Sequence, residues 1–591
     1  MLARTFARAF ARAFELALAM ALASLFLQSA PVRAVEPNAW VEGVLGQMTV
    51  RQKVGQLFVP RVYGTSADTV NPDDVAKNRR ELGVRNAVEL VREYGIGGII
   101  YFGPNVTTPK ALAAFGNQLQ RAAAVNDVPI AVLTAIDQEQ GIVVRVGPPA
   151  TVLPGNMALG ASRSPDAAEL AARITGEELR AMGVFANYAP VADVNLNPSN
   201  PVIGVRSFSS SPGLVAQLVA AQVRGYQAAG VAATAKHFPG HGDTGIDSHV
   251  DLPVINHGRA TLEGIDLIPF ASAIEAGVDA IMTGHLLVPA VDDTGKPATL
   301  SGPIITGLLR DRLGFDGVVV TDSLRMQGVR TTVGDAEVAV RAILAGADQL
   351  LDPPDLTKAH AAVLRAVASG RISKERLDES VRRILRMKAK LGLTSALNAI
   401  VDIAKVPMVV GSEEHQQDAQ WITDQTTTLL ADAARVPIPG IRNHRILVTG
   451  CGRTATTALG AALAERAAEV RVMESGPDPT SGRRAAIGSA ARSADAIVVL
   501  TCDAGGAQVN LITELQRTAV PVIVVSAGAP YDTGKLPKGL SVLATYSDRP
   551  IAMKAVARVL SGEIEPIGRL PVSIPAVGTG LRYRIGWRAP T

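Results

Sequence analysis

Asp322 follows directly on a short apolar, β-branched run, Val318 to Thr321, which is itself preceded by a helix-like stretch, Ile304 to Gly317. A carboxylate at the carboxyl end of a buried parallel strand faces the mouth of an α/β fold. There it can act as a nucleophile on an electrophilic carbon. Taken alone, Asp322 could equally cap the helix that follows. A second concentration of reactive side chains lies in KHFPGHGDTGIDSH, Lys236 to His249, which holds three of the eight histidines. Asp247 stands two residues before His249, a spacing at which a turn brings carboxylate and imidazole together. Such a carboxylate fixes the ring and raises its pKa, equipping His249 to donate and then remove a proton near neutral pH. Pro239, Gly240, Gly242 and Gly245 argue against a regular helix and for a long, mobile loop. His237, His241, Asp243, Asp247 and His249 could instead hold a metal. No HExxH-like spacing is present, and the glycine-rich spacing suits a closing loop better than a coordination shell. No metal or cofactor is expected.

The elements that must position these residues are read from apolar runs alternating with helical stretches between about Asn38 and Leu397. The runs are 57–62, 97–102, 131–136, 184–192, 231–236, 280–283, 318–321 and 347–351. Eight such runs suggest a (β/α)₈ TIM-type barrel, with a doubly wound open sheet as the competitor. The barrel is favoured because Asp137, Asn187, Asp193, Lys236, His237, His285 and Asp322 all fall at or just after the runs, where strand ends of a barrel converge on one mouth. Asn187 and Asp193 could equally serve only to hold the backbone of a long loop.

From Arg445 a second α/β rhythm begins with RILVTG, EVRVM, AIVVLT, PVIVVSA and SVLATY, read as five parallel strands of a smaller three-layer α/β/α domain. The expected division is a leader at 1–34, a barrel at 35–397, a connector with helices at 398–440 and the second domain at 441–591. Cys451 and Cys502 each end a strand of the second sheet, and in a 2-1-3-4-5 strand order those strands are neighbours. A bridge between them is therefore a testable hypothesis, and the sequence leaves it open. GCGRTATTALG after the first of these strands lacks both GxGxxG and the Walker lysine, which argues against a nucleotide site.

The first residues carry Arg4, Arg8 and Arg12, an uncharged apolar run from Leu16 to Leu27, and small residues ending at Ala34. That is the pattern of a secretory signal peptide, too short in its apolar part for a permanent anchor. An amphipathic Arg-rich helix is the other reading. The net charge of +4 falls to about +1 once four arginines and one glutamate of the leader are removed. With no basic block interleaved with aromatics, nucleic acid is not an expected partner. A composition of 47% hydrophobic and 19% charged residues suits a globular chain, and two cysteines make no disulfide scaffold.

DQEQGIVVR (137–145), NPVIGVRSF (200–208), KHFPGHGDTGIDSH (236–249) and GFDGVVVTDSLRMQGV (314–329), with GRLPVSIP (568–575) in the second domain, together resemble glycoside hydrolase family 3, in its β-N-acetylglucosaminidase branch. The resemblance implies hydrolysis through a covalent glycosyl-enzyme, with Asp322 as nucleophile and His249 paired with Asp247 as acid/base. It also implies sugar contacts from Asp137, Arg206, Lys236 and His237, and it leaves Arg145 as structural support. The implied substrates are N-acetylglucosamine-terminated glycans such as peptidoglycan fragments, met by an exported, monomeric enzyme without stable membrane insertion. A β-glucosidase or glycoside phosphorylase of the same family, or a silent cell-wall binding protein, are the alternatives. One departure is visible: the family usually has DQEGG where this chain has Gln140, which leaves the shape of the sugar pocket open.

Overall fold

The computed structural model describes residues 37–248, 250–433 and 436–590. The expected leader and His249 lie outside the described residues.

Eight short, wholly buried parallel strands form the first domain: β1 (Phe58–Val59), β2 (Gly98–Tyr101), β3 (Leu133–Ile136), β4 (Ala186–Asn187), β5 (Ala232–Phe238), β6 (Ala280–Thr283), β7 (Val318–Thr321) and β8 (Leu350–Leu351). Each falls within, or overlaps, one of the eight apolar runs. β2 to β7 pair in chain order, and β1 pairs with β8. Parallel bridges Arg61–Ile100 and Val320–Gln349 join that pair to both edges of the six-stranded sheet, so the ring is closed. Helices wrap the outside and begin where side chains can accept the free amides of the first turn, as Thr108 does for Pro109–Ala123 and Ser164 for Pro165–Ala181.

The second sheet runs in the order β11 (Glu469–Glu474), β10 (Arg445–Gly450), β12 (Ala496–Thr501), β13 (Val522–Ser526), β14 (Ser541–Ala544), β9 (Thr428–Ala431). The five expected strands take the 2-1-3-4-5 order. A sixth, β9, arises from the segment read as a connector and pairs antiparallel with β14. Its Thr-Leu-Leu-Ala sequence is too short to stand out from the neighbouring helix by periodicity, and pairing with the sheet edge defines it. Cys451 and Cys502 follow the neighbouring strands β10 and β12 and are joined by a disulfide, with Cα atoms 6.1 Å apart. Apolar clusters cover both faces of the sheet, and one includes Met157, Ala158 and Ala161 of the first domain. The two domains therefore share a core. Among the described residues, no helix is long and apolar enough to cross a membrane.

Candidate active site

The carboxyl ends of the barrel strands surround a cavity of about 370 Å³. Its wall carries Asp137 and Glu139 from the loop after β3, Arg206, Lys236 and His237 from β5, and Asp322 directly after β7. A second cavity of about 400 Å³ opens at the amino-terminal end of the barrel beside Gln56 and Tyr94. Its charged lining residues, Arg51, Arg92, Glu93 and Asp127, are exposed, and the strand ends there are not where barrels place chemistry.

Asp322 is partly exposed to the first cavity. Its backbone N–H donates to Thr283 O (3.1 Å), and its Oδ1 accepts from the N–H of Ser323 (2.7 Å). Burial works to raise its pKa, but His237, His285, the Ser323 amide and Lys236 outweigh that and hold the carboxyl below its ordinary value. An ionised carboxylate that lines a cavity, with one oxygen tied by an amide, is equipped for nucleophilic attack. It caps no helix: the next one, Gln327–Val333, starts five residues on, and no side-chain cap is present there.

The sugar-contact residues expected from the sequence come together around one group that sequence reasoning did not single out. Glu139 accepts from Arg206 Nε and Nη2, both at 2.8 Å, and pairs with Lys236 Nζ at 2.7 Å. Lys236 also donates to Asp137 Oδ1 (2.8 Å). Burial would raise the Glu139 pKa, yet the two cations drive it far below the carboxylate range, and the carboxylates in turn push Arg206 and Lys236 upward. The available signal was period two: on an extended segment Asp137 and Glu139 point the same way. His237 Nδ1 lies 2.7 Å from Asp193 Oδ2, and Asp193 Oδ1 also accepts from the backbone amides of His237 (3.2 Å) and His241 (2.7 Å). Asp193 therefore orients the ring and holds the backbone behind it. Asn187 exchanges hydrogen bonds with the backbone of Gln138 and is wholly buried, a supporting role.

One expectation changes, and the structure places Arg145 and Gln140. Arg145, read as structural support, lines the cavity, and its buried Nε has no hydrogen-bond partner. Gln140 adopts φ +70°, in the left-handed region where the family usually has glycine. Its amide binds Thr175 Oγ1 (3.0 Å) and the N–H of Leu153 (3.1 Å), and the side chain does not line the cavity. The glycine-rich stretch is not one free loop. Lys236 and His237 are on β5 itself, and His241, buried, bridges Thr244 Oγ1 and Ser248 Oγ at 2.9 Å each. Burial lowers the His241 pKa to about 4, so the ring is neutral, with one nitrogen to donate and one to accept. Further on, Val254 bridges to Leu287 after β6.

Asp247 forms the start of a tight turn, its carbonyl accepting from the amides of Val250 (3.0 Å) and Asp251 (3.1 Å). The carbonyls of Ser248 and Asp251 approach Gly328 so closely that a Cβ there would lie 3.0 Å from both. Gly328 is six residues past Asp322, and Ser248 itself lines the cavity. The turn that carries Asp247 thus sits beside the segment that follows the nucleophile candidate. Among the described residues, no group of three or more His, Cys, Asp or Glu forms a metal cluster.

A model described as the glycosyl hydrolase family 3 N terminal domain matches residues 49–387, more than half of the chain. The chain is a member of glycoside hydrolase family 3. It is 36% identical over 449 residues to β-hexosaminidase A of Pseudoalteromonas piscicida, covering 71% of this chain and 70% of that one. It is 30% identical over 574 residues to the β-N-acetylglucosaminidase/β-glucosidase of Cellulomonas fimi, covering 90% and 95%. Among solved structures, the family 3 β-N-acetylglucosaminidase of Paenibacillus sp. str. FPU-7 superposes with a TM-score of 0.79 at 39% identity, over 90% of this chain and 100% of that one. A β-glucoside phosphorylase at 23% identity, with a TM-score of 0.76, shares the fold. This family 3 glycoside hydrolase falls in the β-N-acetylglucosaminidase branch.

Proposed function

We propose that this glycoside hydrolase removes terminal β-linked N-acetylglucosamine by a two-step, retaining reaction, and that peptidoglycan fragments are its substrates. Asp322 attacks the anomeric carbon as the leaving oxygen takes a proton from His249. Water, deprotonated by the same ring, then releases the sugar from Asp322. Asp247 orients His249 and supports its positive form. Asp137, Arg206, Lys236 and His237 hold the hydroxyls of the terminal sugar with charge-assisted hydrogen bonds, and Arg145 offers a further donor at the same wall. No step calls for a cofactor. The apolar leader fits an exported enzyme, secreted or held at the cell wall or periplasm.

The observation that carries this reading is the placement of Asp322: an ionised carboxylate at the end of β7, in a cavity that a buried cluster of paired charges also lines. The test is release of nitrophenol from paired β-N-acetylglucosaminide and β-glucoside substrates, with and without phosphate, by wild type and Asp322→Asn. Preference for the acetamido sugar, indifferent to phosphate and lost in the variant by about 10³-fold or more, supports the proposal. Phosphate-stimulated formation of a sugar phosphate would make the enzyme a phosphorylase instead. Release of N-acetylglucosamine from disaccharide muropeptides at a rate well above that from chitobiose would support the peptidoglycan assignment, and the reverse order would remove it.

A further inference from the structure

His257 lies between two carboxylates: its Nε2 is 2.8 Å from Asp243 Oδ2, and its Nδ1 is 2.6 Å from Asp266 Oδ2. Asp243 ends the GHGD stretch, at the start of the loop that carries Asp247 and His249. His257 stands where that loop returns, and Asp266 lies at the N-terminal end of the helix Leu267–Glu275. Asp266 is 1% exposed, its Oδ1 has no hydrogen-bond partner, and its Cβ would lie 2.9 Å from a Cβ built on Gly240. The buried carboxylate is thus packed against the entrance of the loop while bonded to its exit.

Ionised carboxylates only accept, so both ring nitrogens can meet them only if the ring donates from both, as an imidazolium, or if one carboxyl keeps its proton and donates to the ring. Either way the trio holds one proton more than a neutral ring and two carboxylates. Burial lowers the His257 pKa, but Asp266 and Asp243 more than reverse this. Burial also lifts Asp266 to about 6, against the pull of His257. Both directions are those of a shared proton.

We propose that His257 is a positioning residue: it closes the neck of the 243–257 loop and thereby sets the distance of the acid/base pair from the leaving oxygen. The proposal rests on the reading of His249 as acid/base, and it adds a residue that touches neither substrate nor nucleophile. Tying residues 243 and 257 to one ring reduces the freedom of the thirteen residues between them. A proton donor must reach within ordinary hydrogen-bond length of its acceptor, so a small drift at the neck is felt at the chemistry.

The test compares methyl and 4-nitrophenyl β-N-acetylglucosaminides with wild type, His257→Gln, Asp243→Asn and His249→Ala, alongside hydrogen exchange of the 244–256 segment in each. In His257→Gln, kcat for the methyl glycoside should fall about tenfold or more, as part of a general-acid contribution of roughly 10²–10⁴. The 4-nitrophenyl rate should fall less than about threefold, KM should hold for both, and exchange in 244–256 should quicken. Asp243→Asn, at a half-exposed position, should show the same pattern more weakly. Unchanged exchange in both variants, or equal losses on both substrates, would overturn the clamp. If His249→Ala shows no dependence on the leaving group, the acid/base reading itself fails. If His249→Ala shows that dependence and the other two variants do not, only the clamp fails.

Discussion

Glu139 carries the charge balance of the cavity wall, since Arg206 and Lys236 both depend on it. In Glu139→Gln, Lys236 is left with Asp137, and Arg206 with the fields of Asp193 and Asp137 in place of a direct partner. Breaking a buried pair from one side costs about 3–5 kcal/mol, so urea unfolding at pH 7 should show a loss of that order, accompanied by a higher KM. The Glu139 pKa is depressed in the folded state, so its stabilisation is present above the ordinary value of 4.5 and lost as pH falls below it. The wild type should therefore lose stability more steeply on acidification than Glu139→Gln. At this scale Asp322, Asp137, Lys236 and His237 were legible because each stands at the end of an apolar run, as was Asp193 as a support. Glu139 was not: it lies past the end of β3, and its partners Arg206 and Lys236 come from distant segments with no local signature. The place of Arg145 at the cavity could not be read, because an arginine nine residues past a strand carries no direction in sequence.

The loop after β3 is held from outside its own domain. Arg549, just before the helix Pro550–Ser561, donates Nε to the carbonyl of Gly141 at 2.7 Å. Arg549→Ala removes a hydrogen bond worth about 1 kcal/mol. Loosening the loop that bears Asp137 and Glu139 should raise KM about fivefold with little change in kcat, as steady-state kinetics on a 4-nitrophenyl substrate can read; unchanged KM would remove this role. The eight strands were visible because parallel strands buried on both faces read as continuous apolar runs. β9 was not, since four residues beside a helix have no period of their own. The KHFPGHGD stretch was expected as a mobile loop from its glycines. In the structure His241, Asp193 and Asn200 take up its backbone and side-chain groups, and such tertiary hydrogen bonds have no local sequence signature.

Across the whole molecule, two buried features give the domains separate responses. The disulfide closes a sequence separation of 51 residues within the second domain, and its removal in Cys451→Ser/Cys502→Ser should cost that domain about 2–4 kcal/mol. The cavity residues of the barrel stay in place, so kcat on nitrophenyl substrates below the melting range should change little. Lys388, wholly buried in the barrel, donates Nζ to Gln56 Oε1 (2.8 Å) and Ala131 O (2.7 Å) without a carboxylate partner. Burial pushes its pKa from 10.5 down to about 7. Between those values the unfolded chain binds a proton that the folded chain refuses, so Lys388 makes stability rise with pH across that window. Lys388→Met should flatten the change in Tm between pH 7 and pH 9 relative to wild type, as paired calorimetric scans can show. An identical pH slope in both proteins would contradict this assignment. The two-domain order and the candidate disulfide partners could be read from the chain; the shared core at Met157 could not, because a buried helix face does not name the surface it meets.

The most direct test of the account is peptide mass mapping after reaction with 5-fluoro-β-N-acetylglucosaminyl fluoride, a sugar that loads the nucleophile quickly and leaves it slowly. One sugar per chain is expected, attached at Asp322 and absent in Asp322→Asn. A sugar on any other carboxylate, or steady turnover of the reagent with no adduct in a folded protein, would contradict the assignment of Asp322 as the nucleophile.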